Sequence, residues 1–92
     1  MTKEIIRRRY TFYGRVQGVG FRFRAKYLAR LHGVSGWVRN EYDGSVTMEA
    51  EGSPMAIAAV VEALRSDRFI QIDEMEMQEI PVCGSHGFES RG

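Results

Sequence analysis

The sequence is short of the residues that several common kinds of protein chemistry require. It contains one cysteine, Cys83, which excludes an intramolecular disulfide and a cysteine-based metal cluster. His86 and Cys83 have no partner at catalytic spacing, and His32 falls near the end of a predicted helix, where a cation suits the helix dipole. No apolar run approaches the roughly 18 residues that a membrane-spanning helix needs. We therefore expect no metal site and no membrane contact.

Net charge is also nearly absent. Thirteen lysines and arginines oppose twelve acids, so the formal net charge is +1. The overall basic field that drives non-specific nucleic-acid binding is missing. The basic residues nevertheless crowd the first third of the chain, and most acids follow Glu41. This asymmetry fits a small anionic ligand held by the N-terminal part, although a solvated charged face is the commoner explanation.

The length and hydrophobic content that are present fit one domain. Ninety-two residues, 43% of them hydrophobic, suffice for one core and are too few for two domains, so we treat 1–92 as a single domain. The N-terminus is polar and runs directly into strand-like sequence, without a signal-peptide pattern. A cytoplasmic protein is therefore expected.

Residue spacing predicts six elements in the order strand, helix, strand, strand, helix, strand. The first helix follows a glycine-rich loop and ends at Gly33, and the second has Ser53 as N-cap and Pro54 at its first position. With two right-handed crossovers, this order predicts an α+β, ferredoxin-like βαββαβ sandwich. Its four-stranded antiparallel sheet carries both helices on one face. The four strands are predicted over residues 5–13, 34–40, 45–51 and 70–80.

Three strand details extend this prediction. The third strand alternates apolar and polar residues, which predicts one buried and one solvated face, the latter carrying Ser45, Thr47, Glu49 and Glu51. In the fourth strand the apolar parity shifts between Ile72 and Met75, which indicates either a strand start near Glu74 or a bulge there. Residues 87–90 leave room for a short fifth edge strand.

The most informative segment is residues 14–22, Gly-Arg-Val-Gln-Gly-Val-Gly-Phe-Arg. Glycine allows a positive φ, and successive N–H groups in such a turn before a helix converge on one point that favours an anion. Arg22 falls in the first helical turn, where the helix dipole opposes a cation unless a negative charge lies nearby. A phosphate or carboxylate would supply that charge, and a guanidinium can bind it bidentately. The segment therefore predicts an oxyanion cradle.

Residues 14–22 closely resemble the first signature of the acylphosphatase family. The second signature is matched by Gly36-Trp37-Val38-Arg39-Asn40, then after three residues by Gly44-Ser45-Val46, and after five more by Gly52. Both motifs are long, and their order and separation agree with the family. The resemblance covers essentially the whole chain and implies the ferredoxin-like fold derived above.

The resemblance also implies an activity and residue roles. Acylphosphatases hydrolyse the carboxyl–phosphate anhydride of acyl phosphates to a carboxylate and inorganic phosphate, without a metal or other cofactor. By motif position, the catalytic residues are Arg22, which binds the phosphoryl oxygens, and Asn40, which orients the attacking water. The phosphate-binding amides belong to Arg15, Val16, Gln17, Gly18, Val19 and Gly20. The expected partners are a small-molecule acyl phosphate and the product phosphate, with no nucleic acid, and the protein is expected to be a monomer.

Several residues keep a structural interpretation beside the functional one. Trp37 is assigned to packing or a surface platform, and the Arg15 side chain to the solvent-facing rim of the loop. The Gln17 side chain either forms hydrogen bonds within the loop or contacts the ligand, and the sequence does not decide between them. A glycine loop alone is usually just a tight connection, and an asparagine at a strand end is usually turn chemistry. The joint occurrence of both signatures favours the site.

Three alternative functions compete with this hypothesis. An RNA-recognition module shares the element order, but its third strand should expose aromatics, whereas Ser45–Glu51 predicts an acidic exposed face. A Walker-type nucleotide site needs Gly-Lys-Ser/Thr at a spacing that is missing after Gly14. The third alternative is a domain that binds phosphate or carbamoyl phosphate without turnover, and the retained Asn40 argues against it. The physiological substrate stays open, because acetyl phosphate, carbamoyl phosphate and 1,3-bisphosphoglycerate present the same reacting group.

Overall fold

Two helices pack on one five-stranded sheet. The computed structural model describes residues 4–92. The elements are β1 (Ile6–Arg15), α1 (Phe21–His32), β2 (Ser35–Asn40), β3 (Val46–Gly52), α2 (Pro54–Arg65), β4 (Gln71–Ile80) and β5 (Phe88–Arg91). The strand order is β4-β1-β3-β2-β5. This is the predicted α+β, ferredoxin-like fold, with the fifth edge strand formed.

The core lies between the helices and the sheet. The apolar residues of α1 and α2 that were expected to face the sheet are buried, and they pack against alternate residues of the central strands. The largest fully buried side chains are Phe12, Phe21, Met48, Ile57, Leu64, Val16, Val38, Val46 and Val60. Neither helix within residues 4–92 has the length and apolarity needed to span a bilayer.

Both helix ends predicted from sequence are present. Gly33 ends α1 in the left-handed conformation, with φ of 69°, which glycine adopts without the steric cost of a side chain. The Ser53 hydroxyl accepts a 3.1 Å hydrogen bond from the Ala56 amide, and Pro54 occupies the first turn of α2. These two caps fix the residue at which α1 ends before β2 and the residue at which α2 begins after β3.

The parity shift in the fourth strand is a bulge. In the β1–β4 ladder Tyr13 pairs with Glu74 and Gly14 with Ile72, so Asp73 is the extra residue. Gly14 has a φ of 133°, and a β-carbon there would collide with the Gln71 carbonyl. Glycine is therefore required where β1 turns into the loop.

The face of the sheet away from the helices is less solvated than the sequence predicted. Ser45, Thr47, Glu49 and Glu51 were expected to face solvent, but all four are buried. Glu49 accepts hydrogen bonds from both Arg7 and Arg9 of the neighbouring strand, and Glu51 accepts one from Arg7. Because these charges are paired, burial does not leave them uncompensated. β3 therefore has no exposed acidic face, so this argument against an RNA-binding function fails. The other argument, that β3 lacks aromatic residues, still holds.

Residues 81–87 account for the burial of Glu51 and for the direction of the last strand. This segment leads from β4 on one edge of the sheet to β5 on the other, and on the way the amides of Cys83 and Ser85 donate to the Glu51 carboxylate at 2.9 and 3.1 Å. The chain then pairs with β2 in parallel, with Trp37 opposite Glu89. The sheet is therefore mixed rather than wholly antiparallel.

Candidate active site

The glycine-rich loop connects the end of β1 to the start of α1. The Val16 side chain is fully buried and anchors the loop to the core. Gly18 and Gly20 have φ of 73° and 81°, and Gly20 is the N-cap of α1 with no side-chain cap. A β-carbon on either glycine would meet nothing within 4 Å, so the space above the loop is open. The loop thus leaves room for a ligand at a helix N-terminus.

The loop amides are free to bind that ligand. Within residues 4–92, no hydrogen bond has an amide of residues 16–20 as its donor. Amides left without a carbonyl partner at a helix start form a site of positive potential. Unpaired amides at an open helix start are what an oxyanion cradle requires, and anion binding by this loop stays a prediction.

The Gln17 side chain has a structural role. Its Nε2 donates to the backbone carbonyls of Glu41 and Ser45, at 2.8 and 2.9 Å. The sequence left open hydrogen bonds within the loop or contact with the ligand, whereas these bonds run to a different turn of the chain. They fix the loop to the turn between β2 and β3.

That turn is itself internally bonded. The Asp43 carboxylate accepts from the Ser45 amide at 2.9 Å and from the Ser45 hydroxyl at 2.6 Å. These hydrogen bonds lower the pKa of Asp43 below its ordinary value. The pKa of Glu41 is also lowered, first by a hydrogen bond from Thr47 and then by the Arg39 guanidinium. The turn therefore offers Gln17 fixed acceptors.

Arg22 lies in the first turn of α1 and is partly buried. Its Nη1 donates a 2.9 Å hydrogen bond to the backbone carbonyl of Arg91, at the end of β5. This carbonyl supplies a partial negative charge against the opposing helix dipole. The bond to this carbonyl uses one of the five guanidinium N–H groups. The others take part in no hydrogen bond within residues 4–92 and are available to a ligand.

Asn40 is the last residue of β2. Side chains alternate along a strand, so Asn40 lies on the same face as the fully buried Val38, toward the helices. No hydrogen bond within the described part of the chain uses its side-chain amide. Arg22 and Asn40, which are 18 positions apart in sequence, line one open cavity of about 410 Å³.

The cavity brings together most of the predicted residues and adds others. Its walls are Val16, Gly18, Gly20, Phe21, Arg22, Phe23, Lys26, Asn40 and Ser90. The amides of Arg15, Gln17 and Val19 were also predicted to bind phosphate, but none of these residues lines the cavity. Arg15 pairs with Gln71 at the end of β1, and Val19 packs against the core. Lys26 was missed, and its spacing one helical turn after Arg22 could have revealed it.

Trp37 has a packing role close to the site. The Arg91 and Arg39 guanidinium carbons lie 4.9 and 5.0 Å from the centre of its ring. Such contacts attract a cation to the ring face. Trp37 therefore helps to hold the end of β5, which supplies the carbonyl bonded to Arg22.

The composition of the site bears on metal binding. Within residues 4–92, no three histidine, cysteine, aspartate or glutamate side chains are grouped so that they could hold a metal ion. The cationic side chains at the cavity are Arg22 and Lys26, and the free loop amides add neutral hydrogen-bond donors. The arrangement can hold a small anion and a water molecule near each other.

Comparison with known proteins agrees with this geometry. The acylphosphatase family model matches residues 8–90. An acylphosphatase of Bifidobacterium longum is 42% identical over 79 residues, which cover 85% of this chain and 81% of that protein. One from Acidovorax sp. (strain JS42) is 38% identical and covers 94% and 90%, respectively. The crystal structure of acylphosphatase from Bacillus subtilis superimposes with a TM-score of 0.89 at 34% identity, over 95% of this chain and 99% of that one.

A sequence match over nearly the full length and a close structural match therefore coincide with a cavity lined by both signature motifs. The chain belongs to the acylphosphatase family and is an enzyme that hydrolyses acyl phosphates.

Proposed function

We propose that the chain hydrolyses acyl phosphates without a metal ion, using Arg22 and the loop amides to bind the phosphoryl group and Asn40 to orient the attacking water. The observation that carries the proposal is the shared cavity: Arg22, the unpaired glycine-loop amides and Asn40 all border it. The cradle amides are assigned to residues 15–20, of which Val16, Gly18 and Gly20 line the cavity.

Binding rests on charge and hydrogen bonding. A phosphoryl group carries negative charge on its non-bridging oxygens, and this charge is spread further in the loose transition state of phosphoryl transfer. The Arg22 guanidinium, oriented by its bond to Arg91, presents further N–H groups that can contact two of these oxygens. The loop amides would bind the remaining oxygen charge without reorganising during the reaction.

The reaction then needs a positioned water. The Asn40 amide is not a base near neutral pH, so its role is to hold the water by hydrogen bonds. The water oxygen bonds to phosphorus while the bond from phosphorus to the acyl oxygen breaks. A phosphoryl oxygen of the substrate accepts the proton of the water, and the products are a carboxylate and inorganic phosphate. Because a carboxylate is a good leaving group, no general acid is assigned.

The proposal includes the setting in which the enzyme acts. Residues 1–92 are proposed to form one domain that works as a monomer, because Arg22 and Asn40 border the same cavity of one chain. A cytoplasmic location is proposed, and the exposed free thiol of Cys83 fits a reducing compartment. The partners are a small-molecule acyl phosphate and the product phosphate. Sedimentation of the purified protein tests the oligomeric state.

A direct test of the cradle uses inorganic phosphate as the probe. Phosphate added to ¹⁵N-labelled protein should shift the amide resonances of residues 15–20 and the side-chain signal of Arg22. It should also inhibit the enzyme competitively. In a crystal grown with phosphate, the charge-assisted contacts to the anion should measure about 2.7–2.9 Å. Phosphate bound elsewhere, with these amides undisturbed, would reject the cradle.

A further inference from the structure

The outer surface of α1 carries an exposed apolar stripe. Phe23, Tyr27 and Leu31 follow one another at a spacing of four residues and are 79%, 53% and 63% exposed. With Lys26 and Arg30, these side chains line a second open cavity of about 560 Å³. We call these five residues the α1 groove. Large apolar side chains grouped on a surface usually mark a binding site.

The α1 groove is continuous with the proposed phosphate site. Phe23 and Lys26 border both cavities. Along a helix, successive turns rise by about 5.4 Å, so Lys26 lies one turn and Arg30 two turns beyond Arg22. A ligand with its phosphoryl group at Arg22 can therefore extend along α1 past Phe23 and Lys26, which belong to both cavities.

The charges of the α1 groove favour an anion at its far end. Arg24, on the same helix, is paired with Asp67 at 3.1 Å and contacts the Tyr27 ring, with 5.6 Å between the guanidinium carbon and the ring centre. In contrast, Lys26 and Arg30 take part in none of the ion pairs formed within residues 4–92. These two cations are therefore available to a ligand.

We propose that the α1 groove is the acyl subsite, and that the enzyme prefers acyl phosphates whose acyl group is extended, apolar and ends in a second anionic group such as a carboxylate. This inference rests on the proposed function, which fixes the phosphoryl group at Arg22. The acyl body packs on Phe23 and Tyr27, and the distal anion lies beside Lys26 and Arg30. Acetyl phosphate is too short to reach beyond Phe23.

The test compares three substrates: acetyl phosphate, benzoyl phosphate and 4-carboxybenzoyl phosphate. Arg30→Gln should lower kcat/KM for 4-carboxybenzoyl phosphate by about two- to fivefold relative to benzoyl phosphate, mainly through KM. Tyr27→Ala should lower kcat/KM for both aromatic substrates relative to acetyl phosphate by about two- to tenfold. Matched controls are Arg65→Gln and Met55→Ala, which alter an exposed cation and an exposed apolar side chain of α2. Both controls should leave every ratio unchanged.

The outcomes separate this inference from the function on which it rests. If the wild-type enzyme hydrolyses the substrates but the Tyr27 and Arg30 variants keep the wild-type ratios, the α1 groove is not an acyl subsite. A protein partner or a second copy of the chain would then be the occupant of the exposed stripe. If the wild type hydrolyses none of the three substrates, the proposed function itself fails.

Discussion

Arg22 and Arg91 are joined by a 2.9 Å hydrogen bond from the Arg22 guanidinium to the Arg91 backbone carbonyl. This bond links the start of α1 to the end of β5, the strand that lies parallel to β2 at the sheet edge. The Arg91 side chain in turn contacts the Trp37 ring. The last strand therefore contributes to the orientation of Arg22, the cation that we propose binds phosphate.

Replacement of Arg22 should abolish both binding and turnover. Arg22→Ala removes the guanidinium that contacts the phosphoryl oxygens, and we expect kcat/KM to fall by about 10²- to 10³-fold or more, with loss of competitive inhibition by phosphate. Arg22→Lys should also be poor, because an ammonium lacks the planar fork of N–H groups that binds two phosphoryl oxygens side by side. Steady-state kinetics with phosphate as inhibitor measure both effects. Wild-type inhibition by phosphate in Arg22→Ala would remove Arg22 from the binding site.

Replacement of Asn40 should affect turnover alone. Asn40→Ala removes no charge from the cavity, so inhibition by inorganic phosphate should be nearly retained. The kcat should fall on the order of 10²-fold, because a positioned water is lost. Normal turnover would disprove the water-orienting role. A loss of phosphate affinity as large as that of Arg22→Ala would instead make Asn40 a ligand-binding residue.

The Gln17 side chain should affect the stability of the glycine-rich loop and not the chemical step. Gln17→Ala removes the two hydrogen bonds that tie the loop to the carbonyls of Glu41 and Ser45. Each carbonyl keeps a backbone amide donor from its own turn, so the loss should cost about 0.5–1.5 kcal/mol of unfolding free energy per bond. The KM should rise as the loop loosens, while kcat at saturation changes less. Urea denaturation and kinetics check this, with Tyr42→Ala as the exposed control in the same turn. An unchanged unfolding midpoint would contradict the anchoring role.

The buried charges on the open face of the sheet predict an acid-dependent stability. Burial raises the pKa of Glu49, but hydrogen bonds from Arg9 and Arg7 outweigh it, so its folded-state pKa lies below the ordinary 4.5. A carboxylate with a depressed pKa stabilises the fold fully above 4.5, and this contribution is lost as pH falls through the folded pKa. The pKa of Glu51 is lowered in the same way. Burial raises it, but hydrogen bonds from the Cys83 amide, the Arg7 guanidinium and the Ser85 amide outweigh that effect.

Glu49→Gln tests this directly. At pH 7 it leaves the buried Arg7 with Glu51 as its remaining counter-charge, which should cost about 1–3 kcal/mol of unfolding free energy. The difference from wild type should narrow as pH drops below 4.5, because the wild-type carboxylate then becomes neutral. Urea unfolding at pH 7, 5, 4 and 3 measures the difference in unfolding free energy between Glu49→Gln and the wild type. The exposed Glu62→Gln is the control. A difference that stayed constant with pH would contradict the ion-pair account.

Much of the fold could be predicted from local patterns. The helical stripe from Phe21 to Ala29, the Gly33 end and the Ser53 cap depend on neighbouring residues, and all are present. The burial of Glu49 and Glu51 could not be predicted in this way. It depends on Arg7, more than 40 positions away in sequence, and on a crossing segment whose path no local pattern reveals.

The candidate site likewise combines local features that the sequence predicts with contacts between distant elements that it does not predict. The amides and Arg22 could be predicted because glycine spacing and helix position act locally, and Asn40 came from the resemblance to a family. The bond from Arg22 to Arg91 and that from Gln17 to the β2–β3 turn join distant elements, and they required the structure. The place of Lys26 at the cavity is a local feature, since it follows from the helical spacing after Arg22.

The central claim is that Arg22 and the loop amides catalyse the hydrolysis of an acyl phosphate without a metal ion. The most direct measurement is the hydrolysis of benzoyl phosphate by the purified protein in excess EDTA, with and without added Mg²⁺. We predict that the wild-type rate survives chelation and that Mg²⁺ does not raise it, while Arg22→Ala is inactive under both conditions. Complete loss of wild-type activity in EDTA, with recovery on addition of a divalent ion, would contradict the claim.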